Sequence, residues 1–142
     1  MSFADDMIIM YQWYRKEECD LGGKSSVGMR ECEIITNEVK NKIKNYDFKV
    51  VHRSKNKNFY RKYRLNDGEV RKILLKLNPN DYVGMVEDYD EANHESDLLI
   101  IFKKEETLIN YHGVEEDVVI YIKMKDVEGK RVPIISFHES EE

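Results

Sequence analysis

The chain has 142 residues, one domain's worth with room for a single core, and combines 41% hydrophobic with 36% charged side chains, the balance of a globular protein with a heavily ionised surface. No run approaches the length of a membrane span, and no amino-terminal stretch combines the basic, apolar and small-residue parts of an export signal, so a cytoplasmic protein with no membrane partner is expected. The net charge of −5 argues mildly against a nucleic-acid partner, but the two signs are segregated along the chain. Cys19 and Cys32 lie in no CxxC spacing and read as reduced thiols.

Ser2 and Asp5 form a possible capping box, and Met7, Met10, Tyr11 and Tyr14 follow at helical spacing until Gly22-Gly23 stops the pattern. Such a stripe is more often core-facing than a docking surface. Ser25 or Ser26 can open a second helix whose Cys32, Ile35, Val39 and Ile43 are spaced for one buried face, and Phe48, Val50 and Val51 suit a short strand.

Between Lys49 and Arg64 the composition changes. Lys49, Arg53, Lys55, Lys57, Arg61, Lys62 and Arg64 occur with no acid among them, interleaved with His52, Phe59, Tyr60 and Tyr63. Cations bind phosphate and exposed aromatic faces stack on unpaired bases, so this run is read as a contact for single-stranded RNA. The plainer alternative is a solvated basic loop beside acidic neighbours.

Asn66 and Glu69 offer a capping box leading into Val70, Ile73, Leu74 and Leu77, which predicts a short amphipathic helix against a sheet, and Asn78-Pro79 restarts a turn or short helix. Glu87–Asp97 carries six acids and no Lys or Arg; it reads as a solvated loop, since Ala92 interrupts any calcium-loop pattern and no metal site is expected. Leu98–Phe102 is an unbroken apolar run bounded by charges, the pattern of a strand buried on both faces, and Lys103–Asp117 reads as a connection containing a frayed hairpin.

The end of the chain carries the chemistry. Two β-branched runs flank Asp126–Lys130, the form of a β-hairpin with a longer loop. Strict alternation places Ile120, Ile122 and Met124 on a covered face, with Tyr121, Lys123 and Lys125 on the other. In the second run it places Ile135 and Phe137 on one face, and Ile134, Ser136 and His138 on the opposite one. A loop of even length brings Tyr121, Lys123, Ser136 and His138 together; the sequence does not fix that register.

"IYIKM" followed by "ISFHE" near the C-terminus resembles the ending of MqsR-type toxins, the mRNA interferases of toxin–antitoxin pairs. The resemblance extends upstream through "ILLKLNPNDYVGMVEDYD" and "SDLLIIFKK", covers roughly the last half of the chain, and reaches more weakly to Asn37. It implies a single domain in which residues 1–33 are a helical extension and residues 34–142 a ribonuclease unit. The fold class expected is α+β, with N-terminal helices packed on a small, mostly antiparallel sheet of the RelE-like kind. Tyr121 matches a tyrosine of the family's site within "YIK", and His138 follows "SF" where members carry a lysine or histidine. A family lysine would fall near Val83-Gly84, where this chain has no cation, and a family glutamine corresponds roughly to Ser96.

RNA carries its own nucleophile, the 2′-hydroxyl, so cleavage needs a base, an acid and positive charge on the phosphorane, with no cofactor or metal. Histidine titrates nearest neutrality, which makes His138 the proton-transfer residue; Lys123 neutralises charge, and Tyr121 donates a hydrogen bond or stacks under a base. Lys55, Lys57, Arg61, Lys62, Arg64 and Tyr82 complete the expected RNA contacts. The partners implied are mRNA and a cognate antitoxin protein. The competing class is a non-catalytic binding or inhibitor protein from a mobile element, acting through the acidic Glu87–Asp97 loop and tail. Each site residue also has an ordinary surface or packing role, and only their combination points to catalysis.

Overall fold

The computed structural model describes residues 26–90 and 95–141. The helix expected from Ser2 to Gly22 lies outside them. Among the described residues the chain is α+β, with the helices preceding most of a five-stranded sheet of order β1-β5-β4-β3-β2. No helix among them is long and apolar enough to cross a membrane.

Helix α1 (Ser26–Tyr46) runs without a break through residues 33 and 34 and buries Cys32, Ile35, Val39 and Ile43, the stripe its spacing predicts. Cys32 is in a disulfide and is not the reduced thiol expected; the chain's other cysteine, Cys19, lies outside the described residues. Two cysteines outside a CxxC spacing carry no local signal for or against such a bond. Asp47, at φ 68°, ends the helix and turns the chain into strand β1 (Phe48–Val50).

The basic run is not a loop. It begins in β1 and continues as helix α2 (Ser54–Lys62), which turns Phe59 and Tyr63 into the core. Phe59 packs on Tyr63 and edge-on against Phe137, with centroids 5.0 and 5.9 Å away. These two aromatics therefore anchor the helix and cannot stack on a base. Helix α3 (Asp67–Leu75) opens as expected, with the Asn66 side chain accepting from the Glu69 amide at 2.9 Å. A 3₁₀ turn (Pro79–Asp81) with a complete capping box then leads into the sheet.

Strands β2 (Tyr82–Asp90), β3 (Glu95–Ile109), β4 (Glu115–Lys125) and β5 (Val132–Glu139) pair antiparallel in succession, and β1 joins β5 in parallel. The expected acidic loop is largely strand, since Glu87–Asp90 pairs with Glu95–Leu98. The segment expected to fray is regular too: β3 runs on to Ile109 and meets β4 across a tight turn that Asn110 caps, its Oδ1 accepting from the His112 and Val114 amides. Leu99, Ile100, Ile101 and Phe102 are all buried, as an apolar run without alternation requires.

Leu74, Leu77, Ile100, Phe102, Ile120, Ile122 and Phe137 belong to one contiguous core between the helices and one sheet face. The opposite face carries a smaller apolar cluster of Val83, Val86, Leu99 and Ile101, with Tyr121 packed against it.

Candidate active site on the outer sheet face

The register of the terminal hairpin decides what this outer face presents. Met124 stands opposite Ile134, with the nine residues 125–133 between them. That odd number, continued without interruption, would set Ile135 against Lys123 and Phe137 against Tyr121. It would also drive Ser136 and His138 into the core. The pairing instead shifts by one, so that Lys123 faces Ser136 and Tyr121 faces His138. Ile135 is the extra residue, a β-bulge that reverses the faces of everything after it.

The bulge corrects the alternation expected from sequence. Ile134 and Phe137 both point into the core and are fully buried, although strict alternation puts them on opposite faces. Ser136 and His138 reach the face of Tyr121 and Lys123 even though the loop does not have the even length that sequence reasoning requires for this. The four polar residues are together for a reason that period-2 reading does not contain.

A buried side chain secures the bulge. Strand β1 covers β5 only as far as Ile134, whose carbonyl accepts from the Val51 amide at 2.9 Å. There the chain leaves the sheet for α2, and Asn56 takes over. Its Nδ2 donates to the Val51 carbonyl at 2.9 Å and to the Ile135 carbonyl at 3.0 Å, and its Oδ1 accepts from the Phe137 amide at 2.9 Å. One amide side chain thus replaces the missing strand neighbour on both sides of Ser136. At 2% exposure, Asn56 has no access to competing water.

The result is a cavity of about 520 Å³ over β3, β4 and β5, closed on one side by the start of α2. Lys103, Tyr121 and His138 form one rung across the three strands, and Lys123 with Ser136 forms part of the next. The Tyr121 and His138 rings lie 5.7 Å apart at 33°. Arg53 and Lys55 project from the α2 end, so that among the described residues the lining holds four cations and one carboxylate, that of Glu141. Glu141 is ion-paired to Lys55, and the Lys55 hydrogen bond and charge hold its carboxyl below the usual range. His138 Nδ1 lies 3.0 Å from the Glu139 carbonyl. A carbonyl only accepts, so Nδ1 carries the proton and Nε2 holds the lone pair of the neutral ring.

The structure therefore brings Tyr121, Lys123 and His138 together and adds Lys55 to them. Arg53 joins the same lining, Lys62 lines a smaller adjoining cavity that shares Lys55 and His138, and the other expected RNA contacts lie elsewhere. Lys57 and Arg61 line a second cavity on the far side of α2. Lys62 stands over the Tyr63 ring within 4 Å of Glu116 and Glu139, so carboxylates already balance its charge. Arg64 donates to the Tyr111 carbonyl at 3.3 Å, away from the outer face. Tyr82 is 2% exposed and packs edge-on against Phe102, a core residue with no surface for RNA to touch.

Sequence reasoning missed Lys103. It sits at the end of an apolar run and read as a boundary charge, yet Leu99, Ile101 and Lys103 share the outer face by simple alternation. The position where the family resemblance would place a lysine is filled by Val83 and Gly84, both buried at a second bulge beside the apolar cluster. Lys103 stands directly opposite Tyr121 on the neighbouring strand and supplies a cation from a different direction.

No family model matches the chain, and no curated protein or solved structure matches it either.

Proposed function

We propose that this protein is an endoribonuclease toxin of the MqsR type with a RelE-like fold, cutting mRNA in the cytoplasm by 2′-hydroxyl attack and held in check by a cognate antitoxin protein. The observation that carries the reading is the bulge-dependent pairing of Tyr121 with His138 and of Lys123 with Ser136 inside a cationic cavity. A bulge beside a functional face commonly re-aims side chains, and here its effect is to lift a histidine and a serine out of the core.

In this reading a phosphodiester lies over Tyr121 with its non-bridging oxygens toward Lys103 and Lys123. His138 Nε2 takes the proton of the 2′-hydroxyl, whose oxygen attacks phosphorus while the bond to the 5′-oxygen breaks. The departing oxygen takes a proton, for which the Tyr121 hydroxyl is the candidate donor. The cations are worth most in the phosphorane, where negative charge peaks. Ser136, buried at the floor, contributes a hydroxyl beside Lys123.

Purified protein incubated with cellular RNA in EDTA should leave 2′,3′-cyclic phosphate and 5′-hydroxyl ends, and intact RNA after prolonged incubation with the folded protein would end the proposal. RNA affinity should depend on the α2 cations as well. Reversing Lys55, Lys57 and Arg61 to Glu should weaken binding and flatten its dependence on salt, because each lost phosphate contact removes about 0.7 from the logarithmic salt slope for a single strand. An unchanged affinity and slope would reduce these side chains to solvated surface.

A further inference from the structure

The cavity on the far side of α2 has a volume of about 590 Å³ and shares only Asn56 with the outer-face cavity. Its rim carries Lys49 from β1, Lys57 and Arg61 from α2, and Arg131 from the β4–β5 loop, all exposed. None of these four is in an ion pair among the described residues. The one carboxylate in the lining, Asp67, accepts from the Tyr60 hydroxyl at 3.3 Å instead of meeting a rim cation. Beneath the rim, Tyr60 and Leu65 are half-buried and form an apolar wall.

This is an apolar wall inside a rim of four cations that outnumber the one carboxylate of the described lining, within the size range of sites for small ligands. We propose that this cavity is a second nucleotide subsite, which holds a nucleotide flanking the cleaved phosphodiester on the same RNA strand. The base lies on Tyr60 and Leu65, and its phosphates meet Lys49, Arg131, Lys57 and Arg61. The inference rests on the RNA-cleaving reading of the outer face and gives it a strand path: over the exposed start of α2 at Ser54 and Lys55 and into the second cavity. Base stacking on an aromatic face and cationic contacts to the backbone are the usual means of holding a single strand.

An acidic peptide pairing with the open edge of β1 is the other occupant the charges would accept. That strand is only three residues long, which leaves little backbone ladder for a peptide to join.

The test uses full-length protein and RNA oligomers with 2′-O-methyl groups throughout, which cannot be cut, in two lengths of about 4 and about 12 nucleotides. Affinity is measured by fluorescence anisotropy over a salt series. The Lys49→Ala/Arg131→Ala variant changes two exposed side chains remote from His138, and circular dichroism checks its fold. It should bind the longer oligomer at least tenfold more weakly, with a salt slope shallower by about 1.4 for two lost contacts, and bind the shorter one as the unsubstituted protein does. Equal loss on both lengths, or no loss on the longer one, would overturn the subsite. So would saturable binding of a polyglutamate peptide that depends on the same two residues and displaces the longer oligomer. The two readings fail separately. If length-dependent binding through Lys49 and Arg131 appears but cleavable RNA is left whole, the outer-face chemistry falls and the subsite stands. If RNA is cut but the variant binds both lengths normally, only the subsite falls.

Discussion

Replacing Asn56 with alanine should lower the unfolding free energy by about 2–4 kcal/mol, a large loss for a single polar side chain. The substitution removes one buried and two partly buried hydrogen bonds at once; the Val51 carbonyl keeps the Arg53 amide at 2.9 Å, while the Ile135 carbonyl and the Phe137 amide lose their Asn56 partner. Each unsatisfied buried group costs roughly 1–3 kcal/mol, and the expectation sits toward the low end of the sum because water can enter the space the amide vacates. Against a total of about 5–15 kcal/mol for a domain, that is a large fraction. Urea denaturation would measure it as a shift in midpoint at constant slope. Asn56→Asp sharpens the test, because a carboxylate keeps the acceptor for Phe137 but opposes two carbonyl oxygens, and should be no better than alanine. A loss below about 0.5 kcal/mol for Asn56→Ala, the range of ordinary surface changes, would mean the bulge stands without it.

That one amide also explains why some of the fold was legible and some was not. The hydrophobic pattern was sufficient wherever a single periodicity ran uninterrupted, as in the α1 stripe from Cys32 to Ile43, the capped start of α3 at Asn66, and the doubly buried strand from Leu99 to Phe102. It was sufficient for the β4 faces as well, which follow strict alternation. It failed at Ile135, because a bulge changes parity and its cause is an asparagine about eighty residues earlier in the chain. In sequence Asn56 is one polar residue in a basic run, with nothing to distinguish it from Asn58, which is exposed. The basic run misled for a related reason. Counting charges does not reveal that Phe59 and Tyr63 fall on the inner side of a helix, and that Lys62 is already balanced by Glu116 and Glu139. Lys103 was hidden by its position at the end of an apolar run, where a charge looks like punctuation.

Replacing His138 with alanine should lower the rate of RNA cleavage by about 10²–10⁴-fold, the range contributed by a positioned general acid or base. The fold should tolerate the change, because the ring is only half-buried and its Nδ1 reaches only the carbonyl of the next residue among the described hydrogen bonds. Expression in a bacterial host would show this as growth arrest with the unsubstituted chain and growth with the variant, at matched protein levels and thermal midpoints. Two further measurements keep the result from being merely structural. Replacing the 2′-hydroxyl at the cut site with hydrogen should stop cleavage by removing the nucleophile while leaving phosphate contacts, and therefore affinity, largely intact. Lys123→Ala should also lower the rate while leaving 2′,3′-cyclic phosphate ends on whatever is cut, because its charge acts on the phosphorane and not on the proton. If His138→Ala cuts as fast as the unsubstituted chain, proton transfer belongs to another group. The pairing of Tyr121 with His138 would then be a packing feature of a face that binds RNA and leaves it whole.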